Sequence, residues 1–79
     1  MSTFTIKYFG VVAEVTGRLQ EETELKEITS VQDALNACLE KYPELKTVSF
    51  KIAHNQKITE SGTIEPKDEI AFLPPFSGG

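Results

Sequence analysis

The hydrophobic and polar positions along this chain predict a small sheet with strands near both ends. Residues 3–9 alternate between apolar and polar, except that Phe9 falls on the otherwise polar side. A second, acidic alternation over residues 19–28 predicts an antiparallel partner strand at the edge of the sheet. Residues 69–73 are apolar enough for a strand buried on both faces, which favours a central position beside the first strand.

One segment instead has the spacing of an amphipathic helix. Its apolar positions recur at Val31, Ala34, Leu35, Cys38, Leu39 and Tyr42. Ser30 is placed to cap the start of this helix, and Pro43 is expected to end it. A shorter helical turn or two is expected over residues 11–16, ending at Gly17.

The remaining pattern completes an α+β domain. Alternation over residues 48–52 leads to an expected tight turn at 55–56, and residues 57–59 return as a short strand. This order predicts one main helix packed across a mixed sheet of four to five strands. We assign residues 1–73 to this domain and residues 74–79 to an extended C-terminal tail with a flexible Gly-Gly end.

The length of the chain allows one small domain, and its negative charge disfavours some classes of binding partner. A chain of 79 residues allows one small domain, and 12 acidic against 8 basic side chains give a net charge of −4. This charge repels phosphate backbones and anionic lipid, so we expect no nucleic acid or membrane as a partner, and an electropositive protein instead. The N-terminus lacks a signal-peptide pattern, and no apolar stretch approaches the roughly 20 residues of a membrane span, so the expected location is cytoplasmic.

Conventional catalytic and metal sites are disfavoured by composition. The chain has one His and one Cys, which excludes an internal disulfide and a cysteine-built zinc site. We expect His54 to have a structural or solvated role, and Cys38, on the apolar stripe of the helix, to be an inert thiol. The acidic side chains between residues 21 and 27 are expected to form a solvated face rather than a pair of catalytic carboxylates.

The unusual segment follows the last predicted strand and reads Pro74-Pro75-Phe76-Ser77-Gly78-Gly79. The two prolines favour a stiff polyproline II segment, and glycines without Cβ atoms can lie in a channel too narrow for side chains. A terminal carboxylate, with a pKa of about 3.5, is a poor electrophile, so another protein must activate it, for example by adenylation with ATP. A carrier or conjugating role follows; the alternative is a frayed terminal segment.

Three segments resemble one known family. They are Lys7-Tyr8-Phe9-Gly10 with Glu14 and Gly17 after it, then Asn55-Gln56, and then residues 68–79. Over essentially its whole length the chain resembles the small, sulfur-carrying subunits of molybdopterin synthase. The resemblance implies a ubiquitin-like β-grasp fold.

The resemblance also implies a function for the tail. Gly79 is expected to be adenylated by an E1-like adenylyltransferase that consumes ATP, and then converted to a thiocarboxylate. Its sulfur would build the dithiolene of molybdopterin from cyclic pyranopterin monophosphate, in the active site of a large synthase subunit. The resemblance implies a heterotetramer of two small and two large subunits, with no permanently bound cofactor and no catalysis by this chain alone.

The partner-binding residues implied by the resemblance are Phe9, Ile58, Leu73, Pro75, Phe76, Ser77 and Gly78. The first three would form an apolar contact, and the others would direct the tail and line its channel. Ile58 and Leu73 have an alternative role in completing the core. The chain departs from the family at residues 11–13, where some members have a basic residue, and at Phe76, which is bulkier than the usual valine.

Other functions remain open for the same fold. A sulfur carrier for thiazole or another pathway shares the Gly-Gly end, although such carriers usually lack the Pro-Pro step. A ubiquitin-like modifier would join Gly79 to lysines through an isopeptide bond, and a β-grasp interaction module would not use the tail chemically.

Overall fold

The computed structural model describes residues 2–26 and 28–74. Its strands are β1 Thr3–Tyr8, β2 Gln20–Glu24, β3 Lys51–His54, β4 Lys57–Ile58 and β5 Glu69–Leu73. Its helices are α1 Gly10–Thr16, α2 Val31–Lys41 and a 3₁₀ helix at Pro43–Thr47. The strands form one sheet in the order β2-β1-β5-β3-β4, in which β1 and β5 are parallel and all other neighbours are antiparallel. In this described part of the chain, no helix has the length and apolar character needed to cross a membrane.

The middle strand of the sheet is β5, as the apolar run predicted. It pairs with β1 on one side, where Tyr8 lies beside Phe72, and with β3 on the other, where Ile52 lies opposite Phe72. The side chains of Ile70 and Phe72 are completely buried beneath α2. Burial of each such side chain contributes about 1.5 to 3 kcal/mol, so β5 anchors the sheet and the core together.

Helix α2 packs across one face of the sheet and also matches the prediction. The Ser30 hydroxyl accepts a hydrogen bond from the Asp33 amide (3.1 Å), and the Asp33 carboxylate accepts one from the Thr29 amide (3.2 Å). The apolar stripe of α2 turns toward the sheet and buries Val31, Ala34 and Cys38. These contacts make the domain a helix packed on a mixed five-stranded sheet, which is the α+β, β-grasp architecture.

Two predicted strands differ from the structure by three or more residues at one end. The strand expected over residues 19–28 covers only Gln20–Glu24, because its partner β1 begins at Thr3, opposite Glu24. A hydrogen bond from the Leu25 amide to the Ser2 carbonyl continues this pairing one residue further. The strand expected from residue 48 begins at Lys51, because the 3₁₀ helix runs through Thr47 and the Val48 amide still donates to its Leu45 carbonyl.

Glu21 contradicts the prediction that the acidic run is a solvated face. It lies opposite Ile6, on the side of β2 that faces α2, and its side chain is only 11% exposed. Its carboxylate accepts hydrogen bonds from the Tyr42 hydroxyl and from Lys41 Nζ (3.2 Å), and it forms an ion pair with Arg18. Burial raises the pKa of Glu21, but these hydrogen bonds and cations outweigh burial and hold the pKa below its usual value. Glu21 therefore ties the edge strand β2 to the end of α2.

We expect Glu21→Gln to lower the free energy of unfolding at pH 7 by about 1 to 2 kcal/mol, because it removes charge-assisted hydrogen bonds at a largely buried group. A carboxyl with a lowered pKa in the folded state stabilises the protein fully above the unfolded pKa of about 4.3 and loses that effect as pH falls through the folded value. As the pH is lowered from about 5, the free energy of unfolding of the wild type should therefore fall more than that of Glu21→Gln.

Urea unfolding followed by circular dichroism at several pH values measures this difference. The matched control is Glu22→Gln, because Glu22 is exposed on the same strand. Equal unfolding free energies for the two variants at pH 7 would contradict a role for Glu21 in joining β2 to α2.

Candidate functional site

The face of the sheet turned away from α2 carries a continuous apolar strip. Cross-strand register places Ala71 beside Ala53 and Ala53 beside Ile58. Leu73 lies two residues beyond Ala71 on the same face, since side chains alternate along a strand. The Phe9 amide donates to the Phe72 carbonyl (3.1 Å), which keeps Phe9 extended beside Leu73. We call this set the outer-face patch; its members are Phe9, Ala53, Ile58, Ala71 and Leu73.

The outer-face patch is exposed at its larger side chains. Phe9 is 43% exposed and Ile58 is 57% exposed, while Leu73 is half-buried and the two alanines between them are buried. The alternative in which Ile58 completes the core is therefore wrong, and Leu73 is shared between core and surface. Clustered exposed apolar side chains are more typical of an interaction surface than of a monomer's ordinary exterior.

Two lysines border the outer-face patch. Lys7, in register with Ala71, forms an ion pair with Glu69 (3.3 Å). Lys51 lies directly opposite Leu73 and is exposed. The sheet face next to the end of β5 is thus apolar, with the Lys7–Glu69 ion pair on one side and the exposed Lys51 on the other.

The residue that follows β5 packs against the start of α1. A Cβ atom at Gly10 would lie 2.9 Å from Cγ of Pro74, and Gly10 also has a φ of +57°, which side-chain-bearing residues rarely adopt. The apolar and polar alternation of residues 3–9, which stops before Gly10, does not predict this contact. A glycine directly after a strand was the available signal, because such positions often allow close backbone approach. The contact places Pro74 beside Phe9 at one end of the outer-face patch.

The structure describes the tail only at its first residue, Pro74. The predicted tail residues Pro75, Phe76, Ser77, Gly78 and Gly79 lie outside the described residues. Of the predicted site, the structure therefore brings together Phe9, Ile58 and Leu73 on one face.

His54 has the expected structural role. Its Nε2 lies 2.7 Å from Oδ2 of Asp68, whose Oδ1 accepts a hydrogen bond from the Asn55 side-chain amide (3.1 Å). The Glu65 amide is the main cause that lowers the pKa of Asp68, followed by Asn55 and His54. Asn55 and Gln56 both have positive φ, as a two-residue hairpin turn requires, which confirms the predicted turn. This cluster holds the β3–β4 hairpin against the loop before β5.

Cys38 is the inert thiol that its position predicted. Its side chain is buried against Tyr8, whose hydroxyl oxygen lies 3.8 Å from Sγ. Burial raises the pKa of Cys38 to about 11, so the thiol stays protonated at neutral pH. It therefore takes no part in the candidate site.

Comparison with known proteins agrees with the fold and with the resemblance. A relative from Mycobacterium tuberculosis is 32% identical and one from Caenorhabditis briggsae is 30% identical, each over the full length of both chains. Both are molybdopterin synthase sulfur carrier subunits. The solution structure of small archaeal modifier protein 1 from Methanosarcina acetivorans has 26% identity and a TM-score of 0.79, and the match covers 100% of this chain and 98% of that one.

These similarities confirm the ubiquitin-like β-grasp fold. The family description that matches is the ThiS family, and the match spans residues 6–79. This chain therefore belongs to the ThiS family.

Proposed function

We propose that this protein is the sulfur carrier subunit of a molybdopterin synthase. Two full-length relatives at 30% and 32% identity have that name. The observation that carries the proposal is the position of Leu73, which ends the central strand β5 within the outer-face patch and leads directly through Pro74 toward Gly78-Gly79. A partner that binds the outer-face patch is therefore placed to receive the tail.

In this proposal the reacting group is the carboxyl group of Gly79. An E1-like adenylyltransferase would join one carboxylate oxygen to the α-phosphorus of ATP, with pyrophosphate as the leaving group. Hydrosulfide would then attack the carbonyl carbon and displace AMP, which leaves a thiocarboxylate on Gly79; a persulfide donor would first give an acyl disulfide, whose S–S bond a thiol reductant would have to cleave. The sulfur passes to the pterin precursor, cyclic pyranopterin monophosphate, and each dithiolene needs two such transfers.

In this proposal the domain, the tail and the large subunit have different roles. Residues 1–73 present the tail and bind the partner through Phe9, Ile58 and Leu73. In the tail, residues 74–79, Pro75 and Phe76 would set its direction, while Ser77 and Gly78 would line a narrow channel in the partner. We propose that the large subunit supplies the active site, in a cytoplasmic heterotetramer of two small and two large subunits.

A second candidate function is a protein modifier. The archaeal structure with 26% identity belongs to a protein called a modifier, which favours this alternative specifically. A carrier for thiazole sulfur is a further variant, in line with the ThiS family description. All three functions begin with activation of Gly79 and differ in the acceptor, so the product distinguishes them.

Incubation with the activating enzyme, ATP and a sulfur donor should raise the intact mass by one oxygen-to-sulfur exchange, as mass spectrometry would show. Deleting Gly79 or omitting ATP should abolish the gain. Adducts on lysines of other proteins would indicate the modifier instead. As a control, the activating enzyme must thiocarboxylate its own carrier. If the mass of this chain then stays unchanged, the carrier proposal is refuted.

We expect Ile58→Asp to weaken binding to the large synthase subunit by about tenfold or more, equivalent to about 1.4 kcal/mol, because a charge would be buried in an apolar contact. Isothermal titration calorimetry measures the affinity, and thermal unfolding should change little because Ile58 is 57% exposed.

Asn36→Asp is the matched control for that substitution. It adds the same charge at an exposed position on α2, which covers the opposite face of the sheet. If both variants bound the large subunit equally well, the outer-face patch would not be the binding surface.

A further inference from the structure

A second open surface lies around the edge of the sheet from the outer-face patch. It is a groove of about 610 Å³ between α2, the segment after the 3₁₀ helix, and the β3–β4 hairpin. Half-buried apolar side chains form its floor: Leu35, Leu39, Val48 and Phe50. The edge strand on this side of the sheet, β4, has only two residues, and its Ile58 lines the groove opposite α2.

The rim of the groove is cationic. Lys46 and Lys51 both line it and are exposed, and neither forms an ion pair within residues 2–26 and 28–74. The one acidic side chain on the lining is that of Glu60, whose backbone carbonyl accepts a hydrogen bond from Nε2 of the Gln32 side chain (2.7 Å). On a chain with a net charge of −4, this is a local surface of opposite sign.

The groove is continuous with the outer-face patch. Ile58 belongs to the patch and also lines the groove. Lys51 lines the groove and lies opposite Leu73, the last residue of β5. A protein seated on the patch therefore reaches the groove without crossing a gap.

We infer that the partner that receives the tail also places an acidic peptide segment with an apolar anchor in this groove. The anchor would cover the exposed parts of Leu39 and Phe50, and carboxylates would pair with Lys46 and Lys51. Apolar burial supplies affinity, while the charge pairs add specificity and a faster, salt-dependent association. The inference rests on the proposed function for the identity of the partner, the large synthase subunit.

The test is calorimetric titration of the full-length chain with the large subunit at low and at high salt. We expect Lys46→Ala and Lys51→Ala each to weaken binding by about threefold to tenfold at low salt, and the double variant by more. The differences should shrink at high salt, because screening weakens the same pairs.

Lys26→Ala is the matched control, because Lys26 is 77% exposed and does not line the groove. It should bind within about twofold of wild type. Circular dichroism would be used to check that each variant is folded.

The outcomes separate the two proposals. Binding of the double variant within about twofold of wild type would overturn the groove inference and leave the sulfur-carrier proposal intact. Tighter binding by the double variant would also overturn it, since the lysines would then be holding a competing segment, such as the chain's own carboxylate-bearing tail. No binding by the wild type would overturn both proposals.

Discussion

The double-sided pairing of β5 is the constraint on which the rest of the molecule depends. Because β1 and β3 both hydrogen-bond to this strand, its alternation is fixed: Phe72 must enter the core and Leu73 must face outward. A register slip of one residue would exchange these two side chains and destroy both surfaces at once. The stability of the domain and the point at which the chain leaves the sheet at Leu73 are therefore set by the same backbone hydrogen bonds.

Strongly periodic parts of the chain could be predicted from sequence alone. Helix α2 has an apolar stripe, a capping serine and a terminating proline that all agree, and β5 is too apolar for any position but a central one. Phe9 departed from the alternation of the first strand, and this apolar residue on the polar side is 43% exposed in the structure. Local signals that agree with one another are those that tertiary structure rarely overrides.

Other features depended on contacts between distant segments. Nothing in the acidic run distinguishes Glu21 from Glu22, and only the pairing of β2 with β1 directs Glu21 toward Tyr42 and Lys41. The groove likewise lies between α2 and the short β4, an arrangement that hydrophobic periodicity does not encode. Net charge was an incomplete guide for the same reason, because it does not show that Lys46 and Lys51 lie on one groove while Lys7 and Lys41 pair with carboxylates.

The sheltered position of Cys38 has a consequence for a protein that handles reactive sulfur. Its thiol is 4% exposed and remains protonated, so persulfide donors and oxidants meet no competing nucleophilic sulfur on the folded domain. If Gly79 is activated as proposed, its acyl group would likewise be protected from capture by a thiol of the same molecule. Opening the core around Tyr8 would remove that protection and allow futile thioester formation or cross-linking between copies.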